Sequence, residues 1–153
     1  MKARLNPYAA APETMKAVAA IEPVIAASGL ESPLIELVKT RASQINGCAY
    51  CIHMHTKDAR AHGETEERLY LLNAWRESPL YTERERAALA WTEALTLISE
   101  THAPDEDYEG LRKHFSDKEI VDLTILVGMI NLWNRLAIGM RYVHDVDRPR
   151  AAE

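Results

Sequence analysis

Nine consecutive residues, Gly47-Cys48-Ala49-Tyr50-Cys51-Ile52-His53-Met54-His55, hold both cysteines of the chain and two of its six histidines. Set at the start of a helix, at about 100° per residue, Cys48, Cys51, Ile52, His55, Ala59 and His62 share a face while His53 points away. Helical side chains lean toward the N-terminus, so His55 leans onto Cys51, four residues earlier. Three influences then favour thiolate over thiol. The helix N-terminus contributes partial positive charge, the imidazole takes or shares a proton, and the second thiol hydrogen-bonds to the first as a thiolate. A thiolate is the nucleophile, and a C-x-x-C pair closes to a disulfide with little backbone movement. The chemistry expected is a dithiol that attacks an oxidant and resolves itself.

Other readings compete with that one. Cysteine packs well in cores, so a bare C-x-x-C can be structural. A zinc site built from Cys48, Cys51, His53 and His55 has the right ligand types. Structural zinc sites usually draw on two separated knuckles, however, and His53 faces elsewhere. No metal and no cofactor is therefore expected. His53, His102, His114 and His144 read as surface histidines, and His62 as a helix-terminal residue favoured by the dipole. Within the pair, spacing assigns Cys51 to activation by His55. Cys48, at the helix entrance after Gly47, is then the more accessible thiol that resolves it and meets the reductant. The rival assignment gives the lower pKa to Cys48 because it stands at the helix terminus.

Composition bounds what can carry this segment. The chain has 153 residues, enough for one domain, and 47% hydrophobic with 27% charged residues is globular composition. A net charge of −5 offers no cationic field for phosphates, so no nucleic-acid partner is expected. Six glycines and seven prolines are few for an all-β chain and favour helices. The N-terminus lacks the shape of a signal peptide. The longest uncharged apolar run, Leu123 to Asn134, falls short of the roughly 20 residues a membrane span needs. A soluble cytoplasmic protein without a membrane partner is expected. Two adjacent cysteines are not a secreted disulfide framework.

The punctuation predicts about seven helices in one all-α domain over 1–153, with a core at about 5–140 and a surface tail after Arg141. Pro12 opens a helix to about Ala27, kinked or broken at Pro23. Ser32 caps a helix with Pro33 at its first position, and Asn46-Gly47 stops it. The next runs from about Cys48 to Ala61, before Gly63. Thr65 caps a short helix to about Asn73. Thr82 with Glu85 is a capping box for a helix to about Glu100. Pro104 opens one to about His114. Ser116 with Glu119 is a second capping box, for a helix to about Met140. That last helix is apolar nearly all round, so it is central to the core or covered by a second subunit. Periodicity alone places Glu36 opposite Leu34 and Val38 and reads it as a solvated carboxylate.

Glu36, eleven residues, then Cys48-x-x-Cys51-x-x-x-His55 resembles the signature of AhpD-like alkylhydroperoxidases, within the carboxymuconolactone decarboxylase superfamily. Arg41 through Cys48, His55 through Arg60, Ala74 through Glu77, Glu83 through Leu89 and Asn131 through Leu136 agree with it. The resemblance implies an all-helical fold assembled as a homotrimer or homohexamer. It implies metal-free thiol peroxidase chemistry on a small hydroperoxide, with an unidentified dithiol or protein reductant. It also implies that Glu36 is the proton acceptor of the site. Some peroxidase members carry a histidine immediately before the second cysteine. This chain has Tyr50 there, and a phenol is a poor proton shuttle near neutral pH. Two alternatives stay open: a non-catalytic redox sensor or electron carrier, and a carboxymuconolactone-type decarboxylase, which does not rely on a C-x-x-C pair.

Overall fold

Proline and capping side chains set most helix starts in the computed structural model, which describes residues 2–144. Regular structure among them is entirely helical. The first helices are short: α1 (Pro7–Ala10), α2 (Pro12–Ala19) and α3 (Glu22–Ala26). The expected Pro12–Ala27 helix is thus two. Its break falls at Ala20-Ile21, ahead of Pro23, which sits in the first turn of α3. A first turn has no use for that N–H, so proline is tolerated there.

Next comes α4 (Ser32–Asn46). Its N-cap is Glu31 and not Ser32, which already lies in the helix, and no side chain caps the end. Gly47 closes α4 in the left-handed region at φ +69°, where a side chain is strained. Helix α5 (Ala49–Ala61) follows at once, with Cys48 as its N-cap. Cys48 is therefore outside the helical spiral assumed for the shared face. Helix α6 (Glu66–Leu71) starts at Thr65 as expected and ends in a 3-10 turn over Leu72–Ala74. Helix α7 (Glu83–Thr96) has both halves of its capping box. It stops at Leu97, short of Glu100, and the chain restarts as α8 (Ile98–Thr101). Helix α9 (Asp105–Arg112) ends before His114. Helix α10 (Asp117–Met140) also has its capping box complete.

The core is a three-way packing of α4, α7 and α10, with α5 laid on α4 and touching α10. Val38, Leu111, Leu123, Leu126 and Val127 are nearly sealed from solvent in its main cluster. By length and composition α10 is long and apolar enough to cross a bilayer. One side of it nevertheless forms the floor of this core, whereas Val121, Ile125, Leu132 and Ile138 are exposed.

A partly buried amide network locks the site end together. Asn46 donates to Asn131 at 2.9 Å and to Asn134 at 2.8 Å, and Asn134 donates to Ser43 at 3.0 Å. These bonds clamp the C-terminus of α4 to α10. The Ser43 carbonyl accepts the Cys48 N–H at 3.0 Å, so the α4–α5 corner is held from both sides.

Candidate active site

Cys48, the α5 N-cap, accepts the Cys51 N–H on its own sulfur at 3.4 Å. The two cysteines are paired as a disulfide, their Cα atoms 5.4 Å apart, within the span a bridge requires. Both are buried, Cys48 at 1% exposure and Cys51 at 2%, so accessibility does not favour Cys48 as expected. They differ in where they face. Cys51 opens on a cavity of about 330 Å³ shared with Glu36, Lys39, His55 and Trp133. Cys48 opens on a separate hollow of about 350 Å³ lined by Arg4, Gly47, Ala137 and Arg141. Tyr50, Ala137 and Tyr142 wall both.

Glu36 is not a solvated carboxylate. Helix α5 covers that face of α4, and Glu36 and His55 are both buried. Glu36 Oε2 meets His55 Nδ1 at 2.9 Å. A carboxylate accepting from Nδ1–H leaves Nε2 as the basic nitrogen of the ring. Asp58 lies at the cavity edge, exposed, one of its oxygens within 4.8 Å of ligand atoms of Glu36 and His55. These three side chains could hold a divalent cation, whereas His53 lies elsewhere. His53 instead stacks on His144 with ring centroids 4.6 Å apart.

A second carboxylate went unseen in the sequence. Glu22, on α3, accepts from Lys39 Nζ at 2.9 Å and from the Trp133 indole N–H at 2.7 Å. Burial pushes its carboxyl up, but the hydrogen bond and charge of Lys39 and the indole N–H outweigh that and hold it below the usual range. Tyr142 was expected in a surface tail. It turns back because Arg141 adopts φ +56° and the Tyr142 N–H returns to the Ala137 carbonyl at 2.8 Å. Its ring meets Tyr50 edge-on at 5.2 Å and packs on the cysteines. The rest of that tail, 145–153, lies outside the described residues. Glu22, Trp133 and Tyr142 gave no local signal, since each joins the site only through tertiary packing.

A model of the carboxymuconolactone decarboxylase family matches residues 9–94, more than half of the chain. The chain belongs to that family. A solved structure from Agrobacterium tumefaciens shares 53% identity and superposes with a TM-score of 0.93, covering 95% of this chain and 100% of that one. That protein is of unknown function, provisionally named as the antioxidant defence protein AhpD. A protein of Bacillus subtilis (strain 168), the uncharacterized YdfG, is 45% identical over 92% of this chain and 95% of its own. An uncharacterized peroxidase-related protein from Silicibacter sp. TM1040 is 28% identical with a TM-score of 0.80, over 92% of this chain and 74% of that one. The chain is thus an AhpD-like member of the carboxymuconolactone decarboxylase family, and a peroxidase-related role fits it.

Proposed function

We propose that this protein is a thiol peroxidase that reduces alkyl hydroperoxides or hydrogen peroxide through Cys48 and Cys51, assisted by Glu36 and His55. One observation carries the reading: the buried Glu36–His55 pair, 2.9 Å apart, stands in the cavity onto which Cys51 and not Cys48 opens. An imidazole oriented by a carboxylate is the arrangement a general base needs.

In the reduced enzyme His55, held by Glu36, takes the Cys51 thiol proton. The thiolate attacks one peroxide oxygen. A sulfur–oxygen bond forms, the O–O bond breaks, and the leaving alkoxide receives a proton from the imidazolium. Cys51 is now a sulfenic acid. The Cys48 thiol condenses with it, releasing water and closing the disulfide. A dithiol donor then reduces the disulfide and is itself oxidised. The sum is hydroperoxide plus dithiol giving alcohol, water and oxidised donor. The cavity walls, Tyr8, Tyr50, Met54, Trp133 and Tyr142, suit an apolar substituent on the peroxide.

The enzyme works as a homotrimer or homohexamer in the cytoplasm on this reading, the exposed Val121, Ile125, Leu132 and Ile138 of α10 being covered by a second copy. Light scattering at micromolar concentration should find no stable monomer. The deciding test is an initial-rate assay of hydroperoxide consumption with a dithiol donor. Wild type should turn over many times per subunit and Cys51→Ser not at all. A single turnover per subunit would mark a redox sensor instead. After one peroxide dose, Cys48→Ser should carry a dimedone-reactive sulfenic acid on Cys51. Rapid labelling of Cys48 in Cys51→Ser would reverse the roles.

A further inference from the structure

Among the described residues, only two buried side-chain polar atoms lack a hydrogen-bond partner, the hydroxyls of Thr40 and Tyr142. The second is the more telling. Tyr142 packs on the cluster of Cys48, Cys51 and Ala137, and its hydroxyl is closed off from solvent. A buried hydroxyl without a partner costs roughly 1–3 kcal/mol, so such groups call for an explanation. A buried phenol hydroxyl without a partner would be replaced by phenylalanine at no loss, unless another state of the molecule supplies its acceptor.

That state is at hand. The cysteines beside Tyr142 are in the closed disulfide, whose sulfurs are weak acceptors. Reduction breaks the S–S bond, adds two electrons and leaves a thiol and a thiolate after one proton is bound. The two sulfurs must then part from bonding distance to van der Waals contact, and each moves toward its neighbours. A thiolate is a strong, charged acceptor, and a bond to a charged partner is worth about twice a neutral one.

We propose that the Tyr142 hydroxyl is a donor reserved for the reduced state: it stays unpartnered against the disulfide and hydrogen-bonds the thiolate formed when the disulfide opens. Its role is to bias the pair toward the dithiol and to lower the pKa of the thiol it reaches. Burial, then the neighbouring hydroxyls of Tyr8 and Tyr50, push the phenol's own pKa up, so it remains protonated and able to donate. Tyr142 follows the family-matched segment, and none of the four residues of the proposed mechanism, Glu36, Cys48, Cys51 and His55, supplies this contact.

The test compares wild type with Tyr142→Phe, which deletes only the hydroxyl. The readout is the thiol–disulfide equilibrium against dithiothreitol, which needs no peroxide, so it succeeds or fails apart from the peroxidase reading. Reduction of Tyr142→Phe should be about tenfold less favourable, equivalent to 29.6 mV for this two-electron couple. Alkylation of the reduced protein, resolved by mass spectrometry, should show the lower thiol pKa of wild type rising by about one unit in the variant. Melting of the two redox forms supplies the control. Oxidised Tyr142→Phe should be as stable as wild type or more so, and the reduced form less stable than reduced wild type. An unchanged equilibrium and thiol pKa would overturn the proposal. So would equal destabilisation of both redox forms, which marks a packing role alone.

Discussion

Two ionic regions of this molecule are built to opposite rules. Around α6 and α7, each half-buried charged group is matched. Arg68 donates to Glu64 at 2.8 Å and to Glu85 at 2.5 Å, reaches the Leu80 carbonyl, and lies over the Tyr81 ring. Glu93 accepts from Arg41, Trp75 and Arg76, each within 2.8 Å. Around the cysteines, by contrast, a few polar groups are left sparsely partnered beside the Glu22–Lys39–Trp133 contacts and the amide clamp. Glu36 and His55 have one bond between them, and the two buried hydroxyls without partners, Thr40 and Tyr142, belong to the segments that build this end. Saturated networks hold one geometry and have no spare donor for a substrate. Unsaturated ones keep bonding capacity for another state. The difference separates scaffold from chemistry in a chain where both use Glu and Arg or His.

The largest effect that would break this contrast lies at the site. Glu36→Gln and His55→Ala should each slow hydroperoxide reduction by roughly the 10²–10⁴-fold that a positioned acid–base group contributes. The fall should appear in the rate of sulfenic acid formation at Cys51, by stopped-flow or dimedone trapping. A variant at either position that kept its rate would remove the pair from the chemistry.

The scaffold should answer in the other currency. Arg68→Met leaves Glu64 and Glu85 without their shared cation in a partly buried place. Breaking a buried pair costs about 3–5 kcal/mol, and exposure at one edge of this one points to the lower end, roughly 3 kcal/mol. For a domain of this size that is a fall of about 10 °C in Tm. Activity per folded molecule should hold. A site-like loss of rate without a loss of stability would show that the two regions are coupled.

What the sequence made legible was whatever depends on neighbours in the chain. Thr82 with Glu85 and Ser116 with Glu119 formed their capping boxes because each needs only three residues of spacing. Gly47 took the left-handed turn for a similarly local reason. His55 and Cys51 face one cavity because a single helix carries both. Glu36 was different: periodicity turned it to solvent, and only the family resemblance brought it to the site. The covering of that face by α5 is a tertiary event that no helical wheel of α4 contains. Glu22 and Trp133 lie 111 residues apart, and Tyr142 reaches the cysteines only after Arg141 reverses the chain. The break at Leu97 and the start of α4 one residue early, with Glu31 at an uncapped N-cap position, were likewise hidden, since no side-chain motif announces either.

The matched network also sets an acid limit. Glu85 and Glu93 are each pushed up by burial but pulled further down by hydrogen bonds and cations. Glu119, at the α10 N-terminus, is held at about 2 by the Ser116 backbone N–H and by Arg84. A carboxylate whose folded pKa lies below its unfolded value adds stability above the unfolded value, and that stability is lost as pH falls through the folded one. Thermal melts should therefore be flat above about pH 5 and decline steeply below about pH 4.5, the unfolded range. Glu93→Gln should start lower at pH 7 and decline less steeply in acid. Parallel slopes for variant and wild type would show that Glu93 contributes nothing to the limit.

The smallest effect tests the corner between scaffold and site. Gly47 is fixed at φ +69° between α4 and Cys48, and a Cβ built there meets nothing within 4 Å. The cost of Gly47→Ala is then conformational alone, about 1–2 kcal/mol for an L residue in the left-handed region. Stability should fall by a few degrees, less than for Arg68→Met. The amide clamp among Asn46, Asn131 and Asn134 holds the end of α4 in place, so the strain should be borne by the turn. Cys48 sits on that turn and Cys51 a full helical turn beyond it. The rate at which Cys48 resolves the sulfenic acid should therefore slow, while sulfenic acid formation at Cys51 holds. Equal slowing of both steps would mean that the corner positions α5 as a whole, and that the two cysteines do not divide between a rigid site and its hinge.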